Sequence, residues 1–437
     1  MEVWSLIGGQ MHIAIVGNGI AGISTARHVR KRSPTARITI ISGESDYHWS
    51  RPALMYVFMG HMRFKDTQPY PPEFFRKNRI HLLKGWVTDV ALQEKTLVID
   101  GARTLAYDKL VFALGSKPNR FGWPGQDLAR VHGMYSVQDL ASLHQLSPSI
   151  HRGAIVGGGL IGVELAEMLH TRGKHVTMLV RESRYWDNVL PAEEADMVTR
   201  VIRREGIDLR LETELTEIEG NEHGEACAVV DSAGDRVPVE FVGLTAGVRP
   251  NIDWVKNLDL ETGRGILVDQ TLATSVPDVY ACGDCAEIQT PEGERNLIQA
   301  VWYTGRMQGE TVARNLCGEQ VDYEPGIWFN SAKFFDLEYQ VYGTVPSARG
   351  FRESGAPETS MWLHPDKLRS VRLVHRNGKV IGFNLMGIRF RHEVCEKWIA
   401  EERSVDWVLK RLKKAHFDPE LYRTFYREIR QSLGGAS

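Results

Sequence analysis

The sequence predicts an α/β protein with two Rossmann-like, three-layer dinucleotide-binding domains and a C-terminal α+β domain. Three observations predict it. Gly17-Asn18-Gly19-Ile20-Ala21-Gly22 follows an apolar run at 12–16 and opens a helical run. Gly157-Gly158-Gly159-Leu160-Ile161-Gly162 repeats the arrangement about 140 residues later, behind Ala154 to Val156. Beyond residue 320 the pattern changes, first to alternation around Asn377-Gly378, then to a charged and aromatic helical stretch over 392–435.

The glycines have a physical reading. In a strand–turn–helix unit the first makes the tight turn and the second lets a pyrophosphate approach the backbone. The third lets the helix pack on the strand, and the helix N-terminus carries about half a positive charge toward the phosphates. Two such units imply two dinucleotides in one chain, the requirement for passing electrons between cofactors.

The first βαβ unit runs as strand 12–16, helix from about Ile20 to Arg32 and strand Arg37 to Ile41. Glu44 stands 22 residues after Gly22, where an acid accepts hydrogen bonds from a ribose 2′-hydroxyl. Tyr47 to Leu54 is aromatic and proline-bearing. A hairpin is predicted through 86–88 and 96–99, with Asp100-Gly101 as its turn. Residues 107–116 read as a buried strand ending in a tight turn. The second βαβ unit covers 152–181, and sheet is expected near 208–218, 226–231 and 236–244 before Thr245 to Asn251 closes the region. A strand-to-turn segment at 279–284 precedes a helix from about Gln299 to Leu316. Asn377-Gly378 is a strong hairpin signal.

Bulk properties bound the function. A chain of 437 residues points to two or three domains. A net charge of −2 gives no pull toward nucleic acid or anionic membrane. No apolar run reaches the roughly 18 residues of a spanning helix. Residues 1–10 lack a basic, apolar leader pattern and read as an extension or an upstream start ahead of Met11. Five cysteines do not make a disulfide framework, so the expected location is the cytoplasm. No metal site is expected.

The order of motifs resembles the flavoprotein pyridine-nucleotide reductases, in which an NAD(P) domain is inserted into an FAD domain. The resemblance runs over about residues 11–318. Tyr107 to Pro118 is similar to the family's second FAD motif and Thr274 to Asp284 to its third. It implies an FAD domain from 1–120 and 246–320, an NAD(P) domain from 121–245, and a C-terminal domain with a helical tail over 321–437. It also implies FAD contacts from Gly17 to Gly22, Glu44, Arg51, Ala113, Gly115 and Gly247. Val87 would meet the adenine through its backbone, and Asp284 would bind the ribityl chain. Trp302 would begin a helix against the isoalloxazine ring. Gly157, Gly159, Leu160, Ile161 and Gly162 would hold the nicotinamide nucleotide, with Glu164 ordering its pocket.

Arg51-Pro52-Ala53-Leu54 resembles the Arg-Pro-x-Leu segment of ferredoxin-, rubredoxin- and nitrite-reductase-type flavoprotein reductases. The thiol routes of other branches are missing. Ile23-Ser24-Thr25-Ala26 holds no cysteine pair, and Pro52 stands where another branch has its cysteine. Tyr56 replaces a lysine that some relatives pair with the glutamate matched by Glu164. Cys282 and Cys285 form a literal CxxC, read as small residues flanking Asp284. Cys227, Cys317 and Cys395 are isolated and read as inert.

Val180 ends the second strand where NADH enzymes carry a glutamate. Arg181 and Arg184 follow, suited to a 2′-phosphate, with Glu182 offsetting part of their charge. NADPH is therefore expected ahead of NADH. The implied activity is an FAD-dependent NAD(P)H oxidoreductase, moving hydride from nicotinamide to flavin N5 and then electrons to a ferredoxin or rubredoxin without a dithiol. Two alternatives stand beside it. One is quinone reduction at a membrane surface, through Trp407, Leu409, Leu412, Phe417, Leu421, Tyr422 and Phe425 with Lys410, Arg411, Lys413 and Lys414; a helix packed on its own domain has the same composition. The other is a slow, redox-sensing flavoprotein whose tail after 320 forms a homodimer interface, covers the flavin or docks a partner.

Overall fold

The computed structural model describes residues 10–291, 295–417 and 425–434. Three five-stranded sheets dominate the described residues. In chain order their strands are β1 (His12–Val16), β2 (Arg37–Ser42), β3 (Ile80–Lys84), β4 (Lys109–Phe112), β5 (Val131–His132), β6 (Arg152–Val156), β7 (His175–Val180), β8 (Asp208–Leu211), β9 (Phe241–Leu244), β10 (Val279–Ala281), β11 (Phe329–Phe334), β12 (Leu337–Gly343), β13 (Glu358–Leu363), β14 (Ser370–Arg376) and β15 (Lys379–Met386). Four helices position the sites: α1 (Ile20–Arg32), α2 (Leu160–Thr171), α3 (Ala192–Arg204) and α4 (Trp302–Leu316).

The chain divides into two compact units. The first comprises 1–119, 135–147 and 247–325; the second comprises 120–134, 148–246 and 326–437.

In the first unit the sheet order is β10-β4-β1-β2-β3, and every pairing is parallel. β1 is buried along its whole length, which is why it reads as an unbroken apolar run rather than an alternation. The register aligns Val16 with Ile41 and with Phe112, so these strands end together on one side. α4 crosses α1 at very short range. A Cβ on Gly309 would fall 2.4 Å from the Ala21 carbonyl oxygen, and one on Gly305 would fall 3.2 Å from Ile20. The predicted hairpin is a three-stranded meander, 87–91, 96–99 and 103–106. Asp100-Gly101 does turn, with φ of 52° and 70°, but it joins the second and third strands. The first turn closes at Lys95, itself left-handed at φ 49°.

In the second unit the order is β8-β7-β6-β9-β5, again all parallel. The stretch 208–218 is not one strand. Glu212 turns left-handed at φ 52°, and Leu215–Gly220 joins a separate antiparallel meander. The stretch 236–244 divides likewise between that meander and β9.

The third sheet, β11-β12-β15-β14-β13, is antiparallel. The Asn377-Gly378 turn sits where expected, with both residues at positive φ. One face packs Tyr342, Phe383 and Leu385 with Trp398, Leu409 and Ile429. The other face buries Arg372, whose guanidinium bonds Glu194 of α3 at 2.8 and 2.9 Å and Glu193 at 2.7 Å. The expected helical stretch 392–435 is several short pieces, His392–Ala400, Val405–Leu409 and Tyr426–Ser432, because Glu402 adopts φ 49° and Ser404 caps a new start. Leu409, Leu412 and Phe425 of the proposed membrane-facing set lie inside this core. Leu421 and Tyr422 lie outside the described residues, as do residues 1–9. Among the described residues no helix is long and apolar enough to cross a membrane.

Candidate functional site

In the first unit a cleft of about 690 Å³ opens at the carboxyl ends of β1, β2, β4 and β10. Parallel sheets place ligands there because the strand ends diverge and the following helices point their N-termini inward. The cleft is lined by Gly17 to Ala21, Glu44, Arg51, Val87, Ala113, Gly115 and Asp284. These come from five separate sequence segments.

The three glycines of the first fingerprint have different surroundings. Gly17 sits at φ +115°, and a Cβ there would lie 2.1 Å from the Ala113 carbonyl oxygen. A Cβ on Gly22 would lie 2.0 Å from the Gly17 carbonyl oxygen. Gly19 has nothing within 4 Å of a Cβ, so its open side faces the cleft. Gly19 is also the N-cap of α1, with no side-chain cap and no acid in the first turn. The first amides of α1 are thus left for an anion.

Glu44 and Arg51 form one wall. Two guanidinium nitrogens of Arg51 donate to the two carboxylate oxygens, at 3.1 and 2.8 Å. Arg51 also donates to the Tyr135 carbonyl and lies 4.6 Å from the Trp49 ring and 4.3 Å from the Tyr135 ring. Burial works against its charge, but Glu44, Tyr135 and Asp284 together outweigh it and its pKa is raised. Glu44 accepts a further bond from the Val137 amide. Among the described residues its Oε2 carries one bond, leaving acceptor capacity on that oxygen. Asp284 receives the Ser116 hydroxyl at 2.8 Å; burial raises its pKa against the pull of Ser116 and Arg51.

Several residues on the wall, and one behind it, escaped the sequence reading. Trp86 is 60% exposed and lies against Gly43, where a Cβ would fall 2.1 Å from the indole. Ser116 and Tyr135 are joined by an amide-to-phenol bond of 3.1 Å. Buried His48 bonds the Asn18 carbonyl through Nδ1 at 2.8 Å, while the Asn18 amide reaches the Ser45 carbonyl at 3.0 Å. Burial lowers the His48 pKa to about 4, so this contact is made by a neutral ring. An aromatic followed by His in a loop was the only signal for it.

Trp302 is the first residue of α4 and is 37% exposed; the residue of that helix on the cleft wall is Gly305. The structure starts α4 at Trp302, with 299–301 outside it. Gly247 turns at φ +84° beside Asn119, away from the cleft lining. Cys282 and Cys285 are fully buried free thiols. Burial pushes the Cys282 pKa far above the thiol range and that of Cys285 to about 12.

The second unit repeats the first fingerprint's geometry. Gly157 has φ +122°, with the Thr245 carbonyl oxygen 2.6 Å from a Cβ. A Cβ on Gly162 meets the Gly157 carbonyl oxygen at 2.6 Å, and Gly159 is open. Leu160 and Ile161 begin α2 without an acid in the first turn. Buried Tyr185, also unforeseen, donates its hydroxyl to the Gly159 carbonyl at 2.7 Å. Glu164 is half-buried on α2; burial, then Glu167, pushes its pKa to about 7. Arg181 is exposed, its Nε bonding Glu182 at 2.8 Å, and Arg184 bonds Asp196 at 2.8 Å. The Glu182 carboxylate lies 3.6 Å from a Cβ on Gly158.

A family model described as pyridine nucleotide-disulphide oxidoreductase matches residues 11–309. The chain belongs to this family. It is 30% identical over 400 residues to the ferredoxin–NAD(+) reductase component of the p-cumate 2,3-dioxygenase system of Pseudomonas putida, covering 90% of this chain and 94% of that one. It is 28% identical over 311 residues to a rubredoxin–NAD(+) reductase of Ectopseudomonas oleovorans, covering 70% of this chain and 80% of that one. The ferredoxin reductase of the CYP199A2 system from Rhodopseudomonas palustris shares the fold, with a TM-score of 0.79 and 22% identity over 97% of this chain and 99% of that one. The protein is an FAD-dependent NAD(P)H oxidoreductase, and FAD and a nicotinamide nucleotide are its cofactors. The open side at Gly19, the uncapped amides of α1 and the acceptors Glu44 and Asp284 fit FAD in the first cleft.

Proposed function

We propose that this reductase passes electrons from NADPH, through FAD, to a small acceptor protein of the ferredoxin or rubredoxin type. The observation that carries the acceptor reading is the sulfur chemistry at the cleft. The thiol on its lining, Cys282, is fully buried and held protonated, Ile23 to Ala26 hold no cysteine pair, and Pro52 stands where a single-cysteine branch has its thiol. A chain without an available thiolate has no covalent store for a second electron pair.

In this reading 1–120 and 246–320 form the FAD domain, 121–245 the NAD(P) domain and 321–437 a C-terminal domain. Gly17 to Gly22 cradle the pyrophosphate and Glu44 accepts from the ribose. Arg51 holds Glu44 in place, Val87 meets the adenine, and Asp284 accepts from the ribityl chain. Ala113 and Gly115 leave room at the strand end, with Gly247 in the turn that follows β9. The N-terminus of α4, at Trp302, faces the ring and favours negative charge there. FAD, when bound, supplies two-electron acceptance and stepwise release.

In the second unit Gly157, Gly159, Leu160, Ile161 and Gly162 hold the nucleotide phosphates. Glu164, kept close to half-protonated near neutral pH by burial, orders the nicotinamide pocket. Arg181 and Arg184 flank the ribose, and Val180 brings no carboxylate to repel a 2′-phosphate. Anaerobic stopped-flow mixing with NADPH and with NADH tests the reading, followed by turnover with a ferredoxin or a rubredoxin. Bleaching of the flavin band and transfer to either protein are expected. Bleaching without transfer to any such protein overturns the acceptor assignment.

A further inference from the structure

The first unit carries another cavity, of about 540 Å³, outside the cofactor cleft. It opens between the short helix Pro72–Lys77, the edge strand β3 and the loop after β2. Its floor is aromatic. Tyr47 and buried Phe75 stand 5.8 Å apart, ring centre to ring centre. Its rim is basic, with Arg76, Arg79, His81 and Lys84.

The charge there is poorly balanced. Asp46 is the carboxylate on the lining, and it lies 3.5 Å from Lys84. Arg79, left-handed at φ 50°, closes the turn into β3 and donates to the Pro34 carbonyl at 2.7 Å. Arg30 beside it bonds four carbonyls, of Asn78, Ser33, Pro34 and Arg79. Carbonyl dipoles orient these guanidiniums without neutralising them. Burial chiefly, and the neighbouring Arg79 second, lower the Arg30 pKa.

A half-buried ring beside Arg76, Arg79 and His81, which have no carboxylate partner among the described residues, suits a ligand with a planar base and a charged phosphate tail. The volume falls within the range of small-molecule sites, roughly 300–1,000 Å³. We propose that this cavity binds a nucleoside diphosphate, its base against Tyr47 and its phosphates at Arg76, Arg79 and His81. The site draws on residues next to those of the cofactor cleft: Glu44 and Trp86 line that cleft, while Asp46 and Tyr47 from the same loop and Lys84, the last residue of β3, line this cavity. Occupancy therefore bears on the loops at the Glu44 and Trp86 end of the cleft.

The test uses FAD-loaded, full-length protein with saturating NADP+, so that the nicotinamide site is filled. ADP is titrated calorimetrically, with inorganic pyrophosphate and adenosine as separate arms. One ADP per chain is expected, bound at least tenfold more tightly than either arm. The Arg76→Glu/His81→Glu variant weakens ADP at least tenfold, with FAD content and flavin bleaching by NADPH unchanged. Photolabelling with 8-azido-ADP marks peptides spanning 46–84. Pyrophosphate binding as tightly as ADP, binding unaffected by the double variant, or label confined to 154–184 each overturns the proposal. None of these outcomes depends on which protein accepts the electrons.

Discussion

Arg51 holds both carboxylate oxygens of Glu44, at 3.1 and 2.8 Å, and is itself flanked by the rings of Trp49 and Tyr135. The acid that would face the ribose is thus oriented by a partner seven residues away. Arg51→Leu removes that partner and leaves Glu44 with the Val137 amide. Charge-assisted hydrogen bonds contribute about 1.5–3 kcal/mol, so FAD affinity should fall by roughly ten- to a hundredfold. Reconstitution of apoprotein, followed by flavin fluorescence, reads it.

The glycines separate folding from cofactor binding. Gly22→Ala drives a methyl group into the Gly17 carbonyl, 2.0 Å from the ideal Cβ, and should lower both stability and flavin content. Gly19→Ala meets no protein atom within 4 Å. It should leave the melting of apoprotein nearly unchanged while FAD retention drops. Paired melting curves of apo- and holoprotein distinguish the two.

Glu164 gives a pH signature. Its folded pKa is raised to about 7 by burial and Glu167, above the ordinary value of 4.5. Between those values the folded state holds a proton that the unfolded state has released, so this group's contribution to stability falls as pH rises through that window. Glu164→Gln should remove that fall, gaining melting temperature relative to the parent at pH 8 but not at pH 4. The rate of flavin reduction should lose a step near pH 7.

Arg372 and Glu194 form an ion pair with almost no exposure, at 4% and 0%. Removing one partner from a buried pair costs about 3–5 kcal/mol, whereas replacing both with apolar residues is often neutral. Arg372→Leu should therefore destabilise strongly in urea, and Arg372→Leu with Glu194→Leu should recover most of the loss.

Arg181→Glu places an acid at the turn after Val180. It should weaken NADPH at least tenfold and leave NADH within a fewfold, read as kcat/KM with a one-electron dye.

Much of this was legible because its physics is local. A positive φ against a neighbouring carbonyl admits only glycine, so Gly17 and Gly157 announce themselves. Asn377-Gly378 does the same for its hairpin. Other features depend on partners that no periodicity reveals. Trp86 is an exposed loop aromatic until it is seen against Gly43. Tyr185 finds Gly159 across the second fingerprint, and Arg372 finds Glu194 from 178 residues away. Asp100-Gly101 was a true turn assigned to the wrong pair of strands, because Lys95 closes its own turn without a glycine.

The sealed pair Cys282 and Cys285 bears on where this reductase can work. With their sulfurs shut away and fully protonated, neither alkylating agents nor a change in thiol–disulfide poise reaches them. Turnover should persist in the presence of diamide or iodoacetamide, conditions that stop relatives working through a reactive cysteine. Electron delivery would then continue under oxidative stress, limited by the supply of reduced nucleotide rather than by the state of this thiol pair.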